Sequence, residues 1–262
     1  MRDNFIYINA NLLRNMVNTH GISSDDFVNG LDRLPQNIIL LNDDRVNANN
    51  VNAHTKFSVI NGKDSIQKFL LDKQIVNKKF MDFERNYDLN LLLNTEIASL
   101  LYFGHMGSPM NNPFSSKLQN KYVYLAYKNN LLTTYYRDFS DFNHILEISI
   151  KRHLRDLHSS RRMFKRPLSL KTIPIDILKL LIKLSSEGLI INFDAVLGRR
   201  RLYRIPLLLE NKPQNHYVWH TQSDIYSNTI NIGYLKYDIV KSTWNIDVNS
   251  KLLPKEVDEL LN

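Results

Sequence analysis

The stretch Lys121-Tyr122-Val123-Tyr124-Leu125-Ala126-Tyr127, followed after Lys128-Asn129-Asn130 by Leu131-Leu132-Thr133-Thr134-Tyr135-Tyr136, constrains the fold more than any other part of the chain. β-Branched and aromatic side chains suit a pleated, half-buried surface. Two such runs on either side of an Asn-rich turn predict a β-hairpin. The period then changes. Phe142, Ile145, Leu146, Ile148 and Ile150 form the apolar side of a helix over about 139–158, with Asp138 or Ser140 as its cap. A hairpin that runs straight into a long helix makes the chain α+β.

The flanking regions extend this reading. Residues 5–8 predict a short strand, and 10–19 a helix with Leu12, Leu13, Met16 and Val17 on one face. Gly21 stops that helix. Ser23 or Ser24 caps a second one reaching Leu31, with Asp25 and Asp26 in the first turn, where the helix dipole favours acids. Two short helices joined by a glycine turn resemble the opening of a helix-turn-helix. Strands are expected at 37–41 and 56–60, helices at 64–75 and 88–102, and a Gly- and Pro-dense loop from Tyr102 to Phe114. In the last third a helix at 174–187 precedes strands at 189–194, 201–206, 216–220, 230–239 and 243–248. Pro254 opens a final short helix over 255–261. The expected fold is therefore α+β: a mixed helical and strand region with a central β-hairpin, then a basic helix plus β-hairpin and further antiparallel strands. Composition turns basic near 150–167 and Pro167 interrupts the pattern, which separates a mixed domain over 1–158 from a basic region over 159–262. A single domain is the alternative.

The 262 residues contain no cysteine. Disulfide frameworks, thiolate zinc sites, iron–sulfur clusters and a cysteine nucleophile are thereby excluded. No apolar stretch approaches the ~20 residues of a membrane span, and Asn9 breaks the short apolar run after Phe5 before it reaches signal-peptide length. The expected location is the cytoplasm.

Net charge is +8, but it is placed unevenly. Residues 151–206 hold fourteen Lys and Arg against four Asp and Glu, a net of +10, so the remainder of the chain sums to −2. Local excess of this kind suits a polyanion, because each phosphate contact uses one Lys or Arg and releases counterions. Lys151, Arg152, Arg155, Arg161, Arg162, Lys165 and Arg166 come first, with His153 and His158 among them. Lys151, Arg155 and Arg162 fall on roughly one side of a helix, a stripe that could follow a phosphate backbone. The plain alternative is a solvated helix end, whose dipole also favours cations.

Residues 168–206 continue the basic region. Ile177, Leu180, Leu181 and Leu184 recur at helical spacing, while Lys179 and Lys183 lie four apart on a neighbouring exposed face. Gly188 follows Glu187 at the helix end, where a left-handed cap is wanted. Leu189-Ile190-Ile191 starts a strand, Gly198 with Arg199, Arg200 and Arg201 forms a turn, and Leu202-Tyr203-Arg204-Ile205 returns. This order resembles the second half of a winged-helix domain. The resemblance implies that Ser169–Ile173 belongs to a preceding helix or turn, Lys179 and Lys183 to a recognition helix, and Arg199–Arg201 to the wing. It covers about forty residues. No Arg, Asn or Gln lies between 175 and 187, and base readout favours those types, so phosphate contact is better supported than base recognition.

The expected function is nucleic-acid binding, DNA ahead of RNA, through Lys151, Arg152, Arg155, Arg161, Arg162, Lys165, Arg166, Lys179, Lys183, Arg199, Arg200, Arg201 and Arg204, in a regulatory, replication or mobile-element accessory role. Two alternatives stand beside it. One is an enzyme on a nucleic-acid or phosphorylated substrate with His105 as acid/base and the arginines as anion clamp. The other is a protein-interaction factor whose basic face meets an acidic partner, or a homodimer. No phosphate loop, dinucleotide glycine pattern or nucleophile elbow occurs, and no cofactor is expected. His216 and His220 have metal-pair spacing only on a helix; Tyr217, Val218 and Trp219 argue for a strand, on which they stand ~13 Å apart, so no metal site is expected. Tyr122, Tyr124, Tyr127, Tyr135 and Tyr136 fit either a base-stacking platform or hairpin packing.

Overall fold

The 121–136 segment folds as its alternation dictates. Strands β6 (Tyr122–Ala126) and β7 (Leu131–Tyr136) pair antiparallel, with Tyr122 opposite Tyr136 and Tyr124 opposite Thr134. The structure, a computed structural model, describes residues 4–42, 51–75, 77–106, 112–127, 130–160, 168–199, 201–210 and 228–249. The chain forms two compact units, one of Asn11–Asn18 and Ser23–Ile145, the other of Met1–Ala10, Thr19–Ile22 and Leu146–Asn262.

In the first unit the hairpin continues into β5 (Lys79–Phe83), β3 (Asn37–Leu40) and β4 (Val59–Asn61), in the order β7-β6-β5-β3-β4 and antiparallel between the pairs from β6 to β4. The strand period of two sorts the side chains onto two faces. Val123, Leu125, Met81, Phe83 and Ile39 pack with Leu100 and Phe103 of helix α3 (Asn94–Met106). On the other face Tyr122, Tyr124 and Phe80 meet Phe27 of α1 (Ser24–Gly30), and Phe80 also meets Phe69 of α2 (Lys63–Leu71). Both faces are buried, so a one-residue slip in register would exchange two cores at once. Each such side chain contributes roughly 1.5–3 kcal/mol by burial, which outweighs local propensity. Helix α1 starts at a reciprocal cap: Ser23 Oγ accepts from Asp26 N at 3.1 Å, and Asp26 Oδ2 accepts from Ser23 N at 2.9 Å.

The second unit contains the strands β1 (Phe5–Asn11), β8 (Leu189–Asn192), β9 (Leu197–Arg199), β10 (Leu202–Glu210), β11 (Thr229–Asp238) and β12 (Thr243–Val248). They run in the order β12-β11-β10-β8-β1, with β9 added to β10 beside β8. Helix α4 (Ser140–Ser160) buries Ile150, Leu154 and Leu157 along its later turns. Helix α5 (Ile175–Leu184) buries Ile177, Leu178, Leu181, Ile182 and Leu184. A short 3-10 turn, Ser185–Glu187, follows α5 and ends at Gly188, whose φ of 79° is the left-handed conformation its position predicts. The architecture is the α+β one expected, with a mixed first part, a central hairpin and a strand-rich C-terminal part.

Several local expectations change. Residues 10–19 are not a helix: β1 ends at Asn11, a 3-10 turn spans Leu12–Arg14, and β2 occupies Met16–His20. Asparagine chemistry decides this. Asn11 Oδ1 accepts from Arg14 N at 3.1 Å and Asn15 adopts φ 50°, so the side chains build a tight turn where the apolar spacing suggested a helix. Leu13 stands 98% exposed at its tip, and the resemblance to the opening of a helix-turn-helix lapses with the helix. The expected helix over 88–102 is a 3-10 segment, Asn86–Leu91, followed by α3. α3 runs on to Met106, into the expected loop. Strand β5 has no counterpart in the sequence reading. The strand at 216–220, with His216 and His220, and the helix at 255–261 lie outside the described residues.

Candidate nucleic-acid interface

Helix α4 uses two of its three described cations internally. Lys151 Nζ pairs with Glu147 one turn earlier, and Glu147 Oε1 also accepts from Ile173 N at 3.2 Å. Arg152 donates from Nη2 to the carbonyl of Gly21 at 2.8 Å and lies 3.9 Å from Asp156. His153, which stacks on Phe193 at 4.9 Å, sits 2.9 Å from the same carbonyl and 3.0 Å from Asn4 Oδ1. Arg155 alone of the three is solvent-exposed. Arg161, Arg162, Lys165 and Arg166 lie outside the described residues, so the Lys151–Arg155–Arg162 stripe has one described member bonded to a carboxylate and one facing solvent.

Helix α5 turns its apolar side inward, leaving Lys179 exposed and Lys183 half-buried. Residues 168–174 before it contain no helical turn. They are held by two strand side chains: Tyr237 Oη donates to Ser169 O at 3.0 Å and Trp244 Nε1 to Lys171 O at 3.0 Å. Tyr237 and Trp244 are cross-strand partners with ring centroids 4.7 Å apart. Tyr203 of β10 stands opposite Tyr237 and hydrogen-bonds His158 Nδ1 at 2.7 Å. These contacts mark the inner face of β10–β12.

The outer face carries the charge. Strand β10 pairs with β9 from Leu202 to Arg204, and its other edge is bound to β11 along its full length. Register places Arg204 opposite Lys236, and Lys236 opposite Asn245. Arg204 and Asn245 are exposed and Lys236 is half-buried, with its Nζ 2.7 Å from Asp247 Oδ2. Lys236 and nearby Arg204 hold the Asp247 carboxyl below its usual range, with the Lys236 hydrogen bond the larger influence. Arg201 is exposed at the turn beyond β9 and forms no ion pair among the described residues; Arg199 closes β9 opposite Leu202, and Arg200 lies outside the described residues. The β11–β12 turn reaches the same end of the sheet, since Ile239 N donates to Arg201 O at 2.8 Å. That turn carries exposed Lys241.

Lys236 and Lys241 were outside the candidate set. Alternation over 230–239 could have placed Lys236 on an outward face, but nothing local says that β11 lies beside β10. Burial decides between stacking platform and hairpin packing: Tyr122, Tyr124, Tyr135 and Tyr136 are core residues, and Tyr127 is partly buried against the core of the first unit. His105 occupies the exposed last turn of α3 and makes no hydrogen bond or ion pair among the described residues. No group of three or more His, Asp or Glu able to hold a metal occurs among the described residues, and no described helix is long and apolar enough to cross a membrane.

One half-buried acid stands six residues beyond Arg204 on the same side of β10. Tyr7 Oη points at Glu210 Oε2, 3.5 Å away, and Glu210 lies over Gly188, where an added Cβ would stand 2.6 Å from Oε2. Burial pushes the Glu210 carboxyl up to about 7, against the opposing influence of the Tyr7 hydroxyl. Comparison with protein-family models, with curated proteins and with solved structures finds no match to this chain.

Proposed function

We propose that this chain binds nucleic acid, DNA ahead of RNA, through phosphate contacts made by its basic C-terminal region. The observation that carries the reading is the exposure of Arg201 and Arg204 on one β-hairpin, with Arg201 in no ion pair among the described residues. A guanidinium with no internal carboxylate to satisfy it keeps its donors for an external anion, and arginine suits phosphate geometry. The order α5, Gly188, β8 and the β9–β10 hairpin is also the order that the winged-helix resemblance implies. In this reading the chain works in the cytoplasm as a regulator or as an accessory of replication or of a mobile element.

The test is fluorescence anisotropy with labelled DNA and RNA across a salt series. The double variant Arg201→Ala/Arg204→Ala is expected to weaken binding to every sequence alike. It should also reduce the slope of log affinity against log salt by about 2 on duplex DNA, since each phosphate contact contributes roughly 0.9. Unchanged affinity and slope in that variant would sink the reading.

A further inference from the structure

We infer that the occupant of this face is a single strand of nucleic acid laid across the open side of β9–β12, with Lys241 and Tyr234 as contacts outside the basic 151–206 region. The inference rests on the nucleic-acid reading above and names the form of the polymer.

Shape argues against this sheet entering a duplex groove. A β-ribbon that enters the major groove is two-stranded, with both edges free. Here β10 is bound on one edge to β9 and on the other to β11 down to the pair Leu202–Asp238. The four strands β9–β12 span about 14 Å at ~4.8 Å per spacing, before side chains are added. The major groove is only about 12 Å wide and admits one helix or a two-stranded ribbon. Helix α5 offers no substitute: its apolar side is buried, its flanking 168–174 segment is held along the inner sheet face, and Lys179 is the sole fully exposed cation on it.

Charge and surface favour a strand with free bases. Arg201 and Lys241 sit at adjacent turns of the same sheet end, and Arg204 and Lys236 are neighbours across the strand pair behind them. At this end of the face Asp247 is bonded to Lys236, and Asp238 Oδ1 accepts from Val240 N at 2.8 Å and Lys241 N at 2.9 Å. Arg201 and Lys241 are exposed there and form no ion pair among the described residues, which leaves their charges to an external phosphate. Next along the face, Tyr234 stands half-buried between Pro206 and Asp247 in the register, an aromatic ring directly beyond the row of Arg204, Lys236 and Asn245. Bases of a single strand can stack on such a ring, whereas paired bases in a duplex cannot reach it.

The experiment uses the full chain and labelled oligonucleotides of about 20 nucleotides, single-stranded and as the matching duplex, over a salt series. Tighter binding of the single strand is expected. Lys241→Gln should lower affinity and reduce the salt slope by about 0.7, the single-strand value per phosphate. Tyr234→Ala should lower affinity about fivefold or more with the salt slope unchanged, and Tyr234→Phe should restore it, because stacking needs the ring and not the hydroxyl. Lys179→Gln should change neither. Duplex preference with sensitivity to Lys179→Gln, or single-strand binding indifferent to both Lys241→Gln and Tyr234→Ala, overturns this inference and leaves nucleic-acid binding standing. Absence of binding to any polymer at low salt removes both. Circular dichroism of each variant separates lost contact from lost fold.

Discussion

His158 and Tyr203 lie 45 positions apart and meet through a hydrogen bond of 2.7 Å between Nδ1 and the phenolic oxygen, fastening the last turns of α4 to the inner side of β10. The same strand carries Arg204 on its outer side, one residue away. Tyr203→Phe removes this bond and keeps the ring, which packs edge-on to the imidazole at 6.2 Å. The expected cost is about 0.5–1.5 kcal/mol, the net value of one hydrogen bond, read as a lower urea midpoint with unchanged slope.

Gly104→Ala is expected to destabilise the first unit strongly. A Cβ there would stand 2.0 Å from the carbonyl oxygen of Leu41 and 2.8 Å from its Cβ, so helix α3 and the backbone just after strand β3 would have to separate. Overpacking of this kind costs roughly 1–3 kcal/mol or more. In an ordinary exposed helix position the same change would stabilise, so the sign of the shift in thermal midpoint tests the close approach.

Glu210 and Asp82 give the folded chain a characteristic acid-side response. Burial pushes both carboxyls up to about 7, from ordinary values of 4.5 and 3.8, and in Asp82 it prevails over the N–H groups of Tyr122 and Lys121. Between those values the folded state holds protons that the unfolded chain has released. Their contribution to stability is thus present in full below pH ~4 and declines as pH rises through 7. Denaturation of Glu210→Gln across pH 4–8 should show a flatter decline than the parent chain; a steeper one would contradict the assignment.

Lys151 should prove structural although it lies in the basic stretch. Its ammonium pairs with Glu147, and both side chains are mostly buried, at 14% and 12% exposure. Lys151→Gln is expected to lower stability by about 1–3 kcal/mol, the penalty for a partly buried charged group losing its partner. Nucleic-acid affinity measured well below the variant's melting temperature should stay unchanged. Arg155→Gln, on the exposed side of the same helix, should leave stability alone.

Much of the secondary structure was legible from local pattern. The β6–β7 hairpin, the long helix α4, the Ser23 cap and the left-handed Gly188 all follow from residues a few positions apart, whose periods and side-chain reach are fixed by backbone geometry. Where asparagine side chains competed for the backbone, at Asn11 and Asn15, the same apolar spacing misled, because a turn and a helix can share it. The composition also determined that 151–206 is basic. Which of those cations face solvent was decided only by tertiary contacts: Glu147 takes Lys151, the Gly21 carbonyl takes Arg152, and β11 brings Lys236 beside Arg204 from 32 positions away. Strand order is equally non-local, as Phe5 pairing with Asn192 shows. Side-chain period is a property of one segment, whereas sheet neighbours are chosen by the burial that distant segments achieve together, and that choice is absent from any local stretch of sequence.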